Sequence, residues 1–232
     1  MKKISVIIPA HNEEEYIRKT IEMLNKNTIP FEFIVVCDSC TDKTKEISTQ
    51  YTSLAFDVDF MNVSKVRNFG FSKSSGEILV FLDADTIVSD NYLSEISKMS
   101  EIYDMGCAKS LSEGKTFLGR YVAWLNSFYG KENIGGNFFI NKNLFQKLGG
   151  FNEEMKRGED TDLGERARGL GTSYVYMENC FIIPSERRFR ENGYLNMIIK
   201  STIWGLFYKY FRNYYNKNIG NRFYENKSWN KK

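Results

Sequence analysis

Apolar and polar positions come in alternating blocks along the first hundred residues, and the blocks predict strands and helices in turn. Residues 4–8 are a short, mostly apolar run ended by Pro9, which predicts a buried strand. A helix is predicted next, with Asn12 as its cap, Glu15 at capping-box spacing, and Ile17, Ile21 and Leu24 as the buried face. Residues 33–36 predict a second strand, followed by the polar turn Asp38-Ser39-Cys40-Thr41-Asp42 and a helix from about Lys43. A weaker strand is predicted near 58–63, then a helix over 65–73 capped by Ser64. Residues 78–82 are apolar at every position, the pattern of a parallel strand covered on both faces. A helix over 91–99 follows. This rhythm predicts a doubly wound α/β sheet, Rossmann-like in its N-terminal half.

Beyond Met105 the pattern loosens. Strands are predicted near 106–109, 136–140, 174–177 and 181–183, with helices over 141–148 and from about Asp160. Neither an internal repeat nor a clean linker interrupts the chain, so 1–184 is expected to be one domain and 185–232 an extension. The 232-residue length suffices for a sizeable core, and 42% hydrophobic with 26% charged residues excludes wholesale disorder.

Net charge is +3, but its distribution is uneven. From Pro184 onward there are 11 Lys/Arg and 3 Asp/Glu, leaving that segment at +8 and the first 183 residues at −5. The basic segment is also aromatic, and over 187–215 it suits an amphipathic element at an anionic membrane surface. Packing on the core, or a dimer contact, is the alternative. RNA is not the expected partner, because no RNA-binding motif accompanies the composition. The longest apolar run, 203–208, is far short of the ~18 residues that span a membrane. No signal peptide is recognisable at the N-terminus. Four cysteines in a chain of this length do not make a disulfide framework. A reducing cytoplasm is the expected compartment, with peripheral attachment to the inner membrane face. Cys37 and Cys40 have redox-motif spacing, but zinc would need further ligands that the chain does not obviously supply. Cys107 and Cys180 read as buried apolar residues.

In open α/β sheets ligands bind at the carboxyl ends of the parallel strands. Polar residues fall there three times, at 9–13, 38–42 and 83–85. No G-x-G-x-x-G follows the first strand and no G-x-x-x-x-G-K-[ST] occurs, so a dinucleotide fold and a P-loop NTPase lose their main support. Asp83 and Asp85, at i and i+2 in extended chain, would point to one side and suit Mg²⁺ or Mn²⁺ bridging to phosphate oxygens. Turn formation and capping, with Asp90, is the simpler reading. With Ser64 as cap, Arg67 lies in a first helical turn, where the macrodipole disfavours a cation unless an anion binds there. Gly158-Glu159-Asp160-Thr161-Asp162 either enriches a helix start in negative charge or holds a general base.

Taken in order, six segments resemble family 2 glycosyltransferases of the GT-A fold. They are Val6-Ile7-Ile8-Pro9-Ala10-His11-Asn12-Glu13-Glu14, Asp38-Ser39-Cys40-Thr41-Asp42, Lys65-Val66-Arg67-Asn68-Phe69-Gly70, Asp83-Ala84-Asp85, Gly135-Gly136-Asn137, and Gly149-Gly150-Phe151 through Gly158-Glu159-Asp160. Each is modest alone, but the ordered set is specific and covers roughly 4–170. The resemblance implies a GT-A mixed sheet with a donor-binding half over about 1–105 and an acceptor half over about 106–184. It implies that Pro9, Ala10, Glu13 and Asp38 line the base and ribose pocket, with Arg67 near the diphosphate. Asp83, Ala84 and Asp85 would meet the donor, with Asp85 and Asp83 as metal ligands for Mn²⁺ or Mg²⁺. Gly136 and Asn137 would lie near the donor sugar or acceptor. Asp160, with Glu159 beside it, matches the catalytic base of inverting members. Arg187 and Arg188 are candidates for an acceptor phosphate.

The expected activity is inverting transfer of a single sugar from a nucleotide-diphosphate sugar to a hydroxyl of a glycan or lipid-linked acceptor. Many family members supply a later histidine to the metal; here the only histidine is His11, read as a pocket wall. The Q-x-x-R-W motif of processive synthases is also absent. Two rivals remain at this level: a sugar-phosphate nucleotidyltransferase, and a non-catalytic nucleotide-sugar-binding module.

Overall fold

A computed structural model describes residues 1–113, 117, 120, 121, 136–155, 158–193, 196 and 199, without the side chains of Arg188, Phe189 and Asn192. Most of the expected membrane segment over 187–215 therefore lies outside the described residues. In chain order, β1 (Ile4–Ala10), α1 (Ile17–Leu24), β2 (Phe31–Asp38), α2 (Thr44–Thr49), β3 (Ala55–Val58), α3 (Val63–Ser72) and β4 (Ile78–Phe81) alternate. They are followed by β5 (Thr86–Val88), α4 (Tyr92–Met99), β6 (Met105–Ser110), β7 (Phe138–Asn141), α5 (Lys142–Lys147), α6 (Glu159–Gly169), β8 (Tyr174–Pro184) and α7 (Arg187–Asn192).

The described strands form one mixed sheet in the order β3-β2-β1-β4-β7-β6-β8-β5. The block β3-β2-β1-β4 is parallel, and β7 joins it antiparallel to β4. Beyond β7, β6 and β8 run parallel to each other, and β5 closes the far edge antiparallel to β8. β1 is paired on both sides, to β2 and to β4. Both of its faces are covered, as its apolar sequence requires: Ile4, Val6 and Ile8 pack with Ile17, Ile21 and Leu24 of α1. Ile7 faces the other way, with Val66 of α3 and Phe145 of α5. Every residue of β4 is likewise buried.

Several elements depart from the sequence pattern for identifiable reasons. Pro9 does not end β1, because the strand continues to Ala10. Ile7 presents its carbonyl to Leu82 on the β4 side, and Pro9 shares that parity. The last β1–β4 pair is Ile7 with Phe81, so the missing proline N–H falls where no ladder bond is needed. Asn12 does not cap α1. Its backbone is left-handed at φ 53°, and its Oδ1 accepts from Thr41 N at 2.8 Å, bracing the loop after β2. The cap of α3 is Asn62, accepting from Lys65 N at 3.1 Å, rather than Ser64. β3 lies a few residues before its expected place. The two strands expected over 174–183 are one strand, and the expected gap coincides with its register shift opposite Ala108/Lys109. Cys107 and Cys180 are buried, as read from sequence.

Candidate active site

The carboxyl ends of β1, β2 and β4 bring the first three polar segments to one edge of the sheet. β7 runs the opposite way, so its entry, Gly136 and Asn137, arrives at that same edge beside Asp83. Asn137 Oδ1 accepts from Asp83 N at 2.8 Å, and its Nδ2 donates to Asp83 Oδ2 at 3.2 Å. A Cβ on Gly136 would stand 2.8 Å from Asp83 Oδ2 and 3.1 Å from Arg67 Nη2, so only glycine admits this approach.

Asp83-Ala84-Asp85 is a turn, closed by Thr86 N donating to Asp83 O at 3.1 Å, and not the extended stretch that the spacing predicts. The short strand β5 that follows, unforeseen from sequence, is what bends it. Its two carboxylates accordingly serve different neighbourhoods. Asp83 meets Arg67 and Asn137. Asp85 lies on the wall of a cavity of about 440 Å³, beside Tyr16, Lys19 and Arg190, and its carbonyl accepts from Ser185 N at 3.0 Å.

Arg67 sits in the second turn of α3 with only 3% of its side chain exposed, so its expected place in the first turn is corrected. Its Nη1 donates to Glu159 Oε1 at 2.5 Å and its Nη2 to Asp83 Oδ1 at 2.9 Å. The guanidinium also stands 5.4 Å from the centre of the Phe151 ring. Burial opposes its charge, but Glu159, Asp83 and Asp160 outweigh burial and hold the guanidinium more firmly protonated. The buried Nε has no hydrogen-bond partner among the described residues.

Glu159 and Asp160 open α6, where the helix dipole favours carboxylates. Asp160 nevertheless has its carboxyl pushed up to about 7. Burial is the main cause and the charge of Glu159 the next, with Arg67 and the Thr161 N–H pulling the other way. A carboxylate that changes state near neutrality can accept a proton from a hydroxyl.

The remaining candidates surround this centre. Pro9 and Ala10 are buried at the end of β1. Asp38 is fully buried, and its carboxylate accepts from the N–H groups of Phe60, Met61 and Asn62. It thereby shapes the loop that leads into α3. His11 Nδ1 lies 2.6 Å from the Asp38 carbonyl, which can only accept, so that nitrogen carries the proton. Glu13 and Arg187, assigned separately to donor and acceptor from sequence, are partners: Arg187 Nη2 donates to Glu13 Oε1 at 2.6 Å and its guanidinium lies 4.8 Å from the centre of the Tyr16 ring. Nothing local in the sequence signals that contact. The side chain of Arg188 lies outside the described residues.

A resident metal would have to be held by few protein oxygens. Among the described residues, no group of three or more His, Cys, Asp or Glu side chains converges for one. Both Asp83 oxygens are engaged by Arg67 and Asn137, and Asp85 lines a cavity. One carboxylate completed by substrate phosphates is a donor set that Mg²⁺ and Mn²⁺ accept, so the residues fit.

Residues 5–152 match the family described as Glycosyl transferase family 2. The chain belongs to that family. Similar proteins include glycosyltransferase AglE of Haloferax volcanii, 27% identical over 81% of this chain and 68% of AglE. Probable glycosyltransferase YdaM of Bacillus subtilis is 28% identical over 74% of this chain and 48% of its own length. Among solved structures, Staphylococcus aureus TarS 1–349 in complex with UDP-GlcNAc superposes with a TM-score of 0.66 at 22% identity, covering 79% of this chain and 59% of that one. Mannosyltransferase PcManGT of Pyrobaculum calidifontis, in complex with GDP-Man and Mn²⁺, gives 0.63 at 19%, over 78% and 56%. The fold is therefore the GT-A fold expected of the family. The chain spans about half to two thirds of the length of these proteins.

Proposed function

We propose that this chain transfers a single sugar from a nucleoside-diphosphate sugar to a hydroxyl acceptor, inverting the anomeric configuration, with Asp160 as general base. The observation that carries the reading is the Asp83–Arg67–Glu159 chain of contacts, which joins the turn after β4 to the helix start bearing an Asp160 poised near neutrality. Family membership and the UDP-GlcNAc and GDP-Man complexes of the similar structures support a nucleotide-sugar donor.

In this reading Pro9, Ala10, Glu13 and the loop fastened by Asp38 form the nucleoside pocket. Ala84 and Asp85 meet the diphosphate, with Arg67 held nearby through Asp83, and Gly136 with Asn137 sets the position of Asp83 beside the sugar. Asp160 removes the proton from the acceptor hydroxyl as that oxygen bonds to the anomeric carbon. The bond from the anomeric carbon to the diphosphate oxygen breaks, and the nucleoside diphosphate leaves with that electron pair. One displacement at the opposite face inverts the centre. Asp85, with Asp83 two residues before it, would hold a divalent cation. Such an ion, when bound, neutralises negative charge on the departing diphosphate. The donor-binding and acceptor halves over 1–184 and the basic extension over 185–232 fit a cytoplasmic enzyme that meets a glycan or lipid-linked acceptor at the membrane surface, through Arg187, Arg188 and the segment to 215. No helix among the described residues is long and apolar enough to cross a membrane.

A thermal-shift panel of UDP-, GDP- and dTDP-sugars, with and without Mn²⁺, tests the reading. A ligand at a hundredfold excess over its dissociation constant adds about 2.7 kcal/mol, a visible shift. One metal-dependent shift, lost in Asp85→Asn, is expected. Folded protein that no donor shifts and that turns over no donor overturns the proposal.

A further inference from the structure

We propose that Asn68 is a positioning residue for the proposed transfer, acting at a distance on Arg67 and Asp160 through the Gly149-Gly150-Phe151 turn. The inference rests on the reading above.

Asn68 lies on α3 next to Arg67, but its side chain turns to a segment 83 residues later. Its Oδ1 accepts from Phe151 N at 2.9 Å, and its Nδ2 donates to Phe151 O and to Glu153 Oε1, each at 2.9 Å. Both polar atoms are thus committed to one short stretch, in the two-point manner of a neighbouring strand. The stretch is shaped to receive it. Gly149 and Gly150 both have φ of 75°, a left-handed pair that other residues disfavour, and a Cβ on Gly150 would stand 2.8 Å from Asn68 Oδ1.

What the turn supports gives Asn68 its consequence. The Phe151 ring is buried under the Arg67 guanidinium and packs edge-on against Phe81, the last residue of β4. From the other side, Arg166 of α6 donates to Leu148 O at 2.6 Å and to Gly150 O at 2.9 Å, while Asp162 holds its Nε at 2.8 Å. Asn62 Nδ2 donates to Glu153 O at 2.9 Å, a further stitch between the start of α3 and this loop. A closed ring results: α3, the turn, Arg166, α6, Glu159, and Arg67 back on α3. Asp160 takes its place from that ring. Removal of Asn68 opens it at the turn and leaves every group that meets substrate chemically unchanged.

The test uses the full chain and the donor that shifts wild-type protein most. Asn68→Ala and Asn68→Asp, which sets a carboxylate against Phe151 O and Glu153, are compared with Arg166→Lys, which keeps the charge without the fork. Nucleotide-sugar binding, kcat, KM and the pH dependence of kcat are measured on each folded variant. A misplaced base costs about tenfold to a hundredfold. The expected result is a kcat loss of that order in both Asn68 variants and in Arg166→Lys, an unchanged donor KM, and a displaced acid limb of the pH profile. A lowered melting temperature with wild-type kcat and pH profile per folded molecule overturns the inference and leaves the proposed function standing. Wild-type protein that neither binds nor turns over any nucleotide sugar overturns the proposed function instead. Should both Asn68 variants fail to fold, Arg166→Lys with wild-type kcat overturns the inference.

Discussion

Arg67 and Glu159 are separated by 92 residues in sequence and joined at 2.5 Å inside the protein, with 3% and 10% of their side chains exposed. A buried guanidinium with two carboxylate partners gains little net stability over an apolar pair, since desolvation consumes most of the attraction. Removing Arg67 is another matter, because Glu159 is left buried and uncompensated.

Arg67→Ala is therefore expected to destabilise the protein by about 3–5 kcal/mol, read by urea denaturation at pH 7. Arg67 also pulls the Asp160 carboxyl down. In Arg67→Gln, if it folds, the acid limb of activity should move to higher pH. A limb that moves down, or stays, contradicts the electrostatic role given to Arg67.

Asp160 supplies the pH dependence of the proposed reaction. A base must be ionised to accept a proton, and this carboxyl is raised to about 7. Activity should thus be complete above neutrality and fall about tenfold for each pH unit below about 7. Asp160→Asn should keep donor binding and lose transfer. Retained turnover in that variant rejects Asp160 as base.

Gly136→Ala places a methyl group against Asp83 Oδ2 and Arg67 Nη2. An overpacked contact of this kind costs about 1–3 kcal/mol, and Asp83 must move to relieve it. Donor-induced thermal shifts should shrink while the circular-dichroism spectrum stays that of wild type. An undiminished shift would show that Asp83 is not held where the donor needs it.

Glu32 sets an acid-stability limit far from the site. Burial opposes its charge, but hydrogen bonds from Ser5, Ser75 N and Ser75 Oγ, with Lys3 nearby, bring its carboxyl down to about 2. The folded value lies below the unfolded one, so the stabilisation is present in full above about 4.5 and disappears as pH falls through about 2. Glu32→Gln should lose about 1–2 kcal/mol at pH 7, the difference between charged and neutral hydrogen bonds. The gap to wild type should close below about pH 2. A gap independent of pH points to packing instead.

Periodicity and motif order determined much of this protein. The unbroken apolar run of β4, the buried face of α1 and the order of short polar segments after β1, β2 and β4 were enough for the fold class, the family and the edge of the sheet at which those segments meet. These are local properties: they depend on which side of a strand or helix a residue faces. Caps and turns were less legible, since Asn12 and Ser64 have the composition of caps while Asn12 braces the loop at Thr41 and Asn62 caps α3.

Only the tertiary structure decided the pairings. Arg67 reaches Glu159, Asn68 reaches Phe151 and Arg187 reaches Glu13 across separations of 92, 83 and 174 residues, and no periodicity encodes such contacts. The split between Asp83 and Asp85 was also beyond the sequence, because an i, i+2 spacing shares a face only while the chain stays extended. Here β5 pairs with the far end of β8 and pulls the chain into a turn, setting the Asp83 carboxylate against Arg67 and placing Asp85 on the wall of the cavity beside α1.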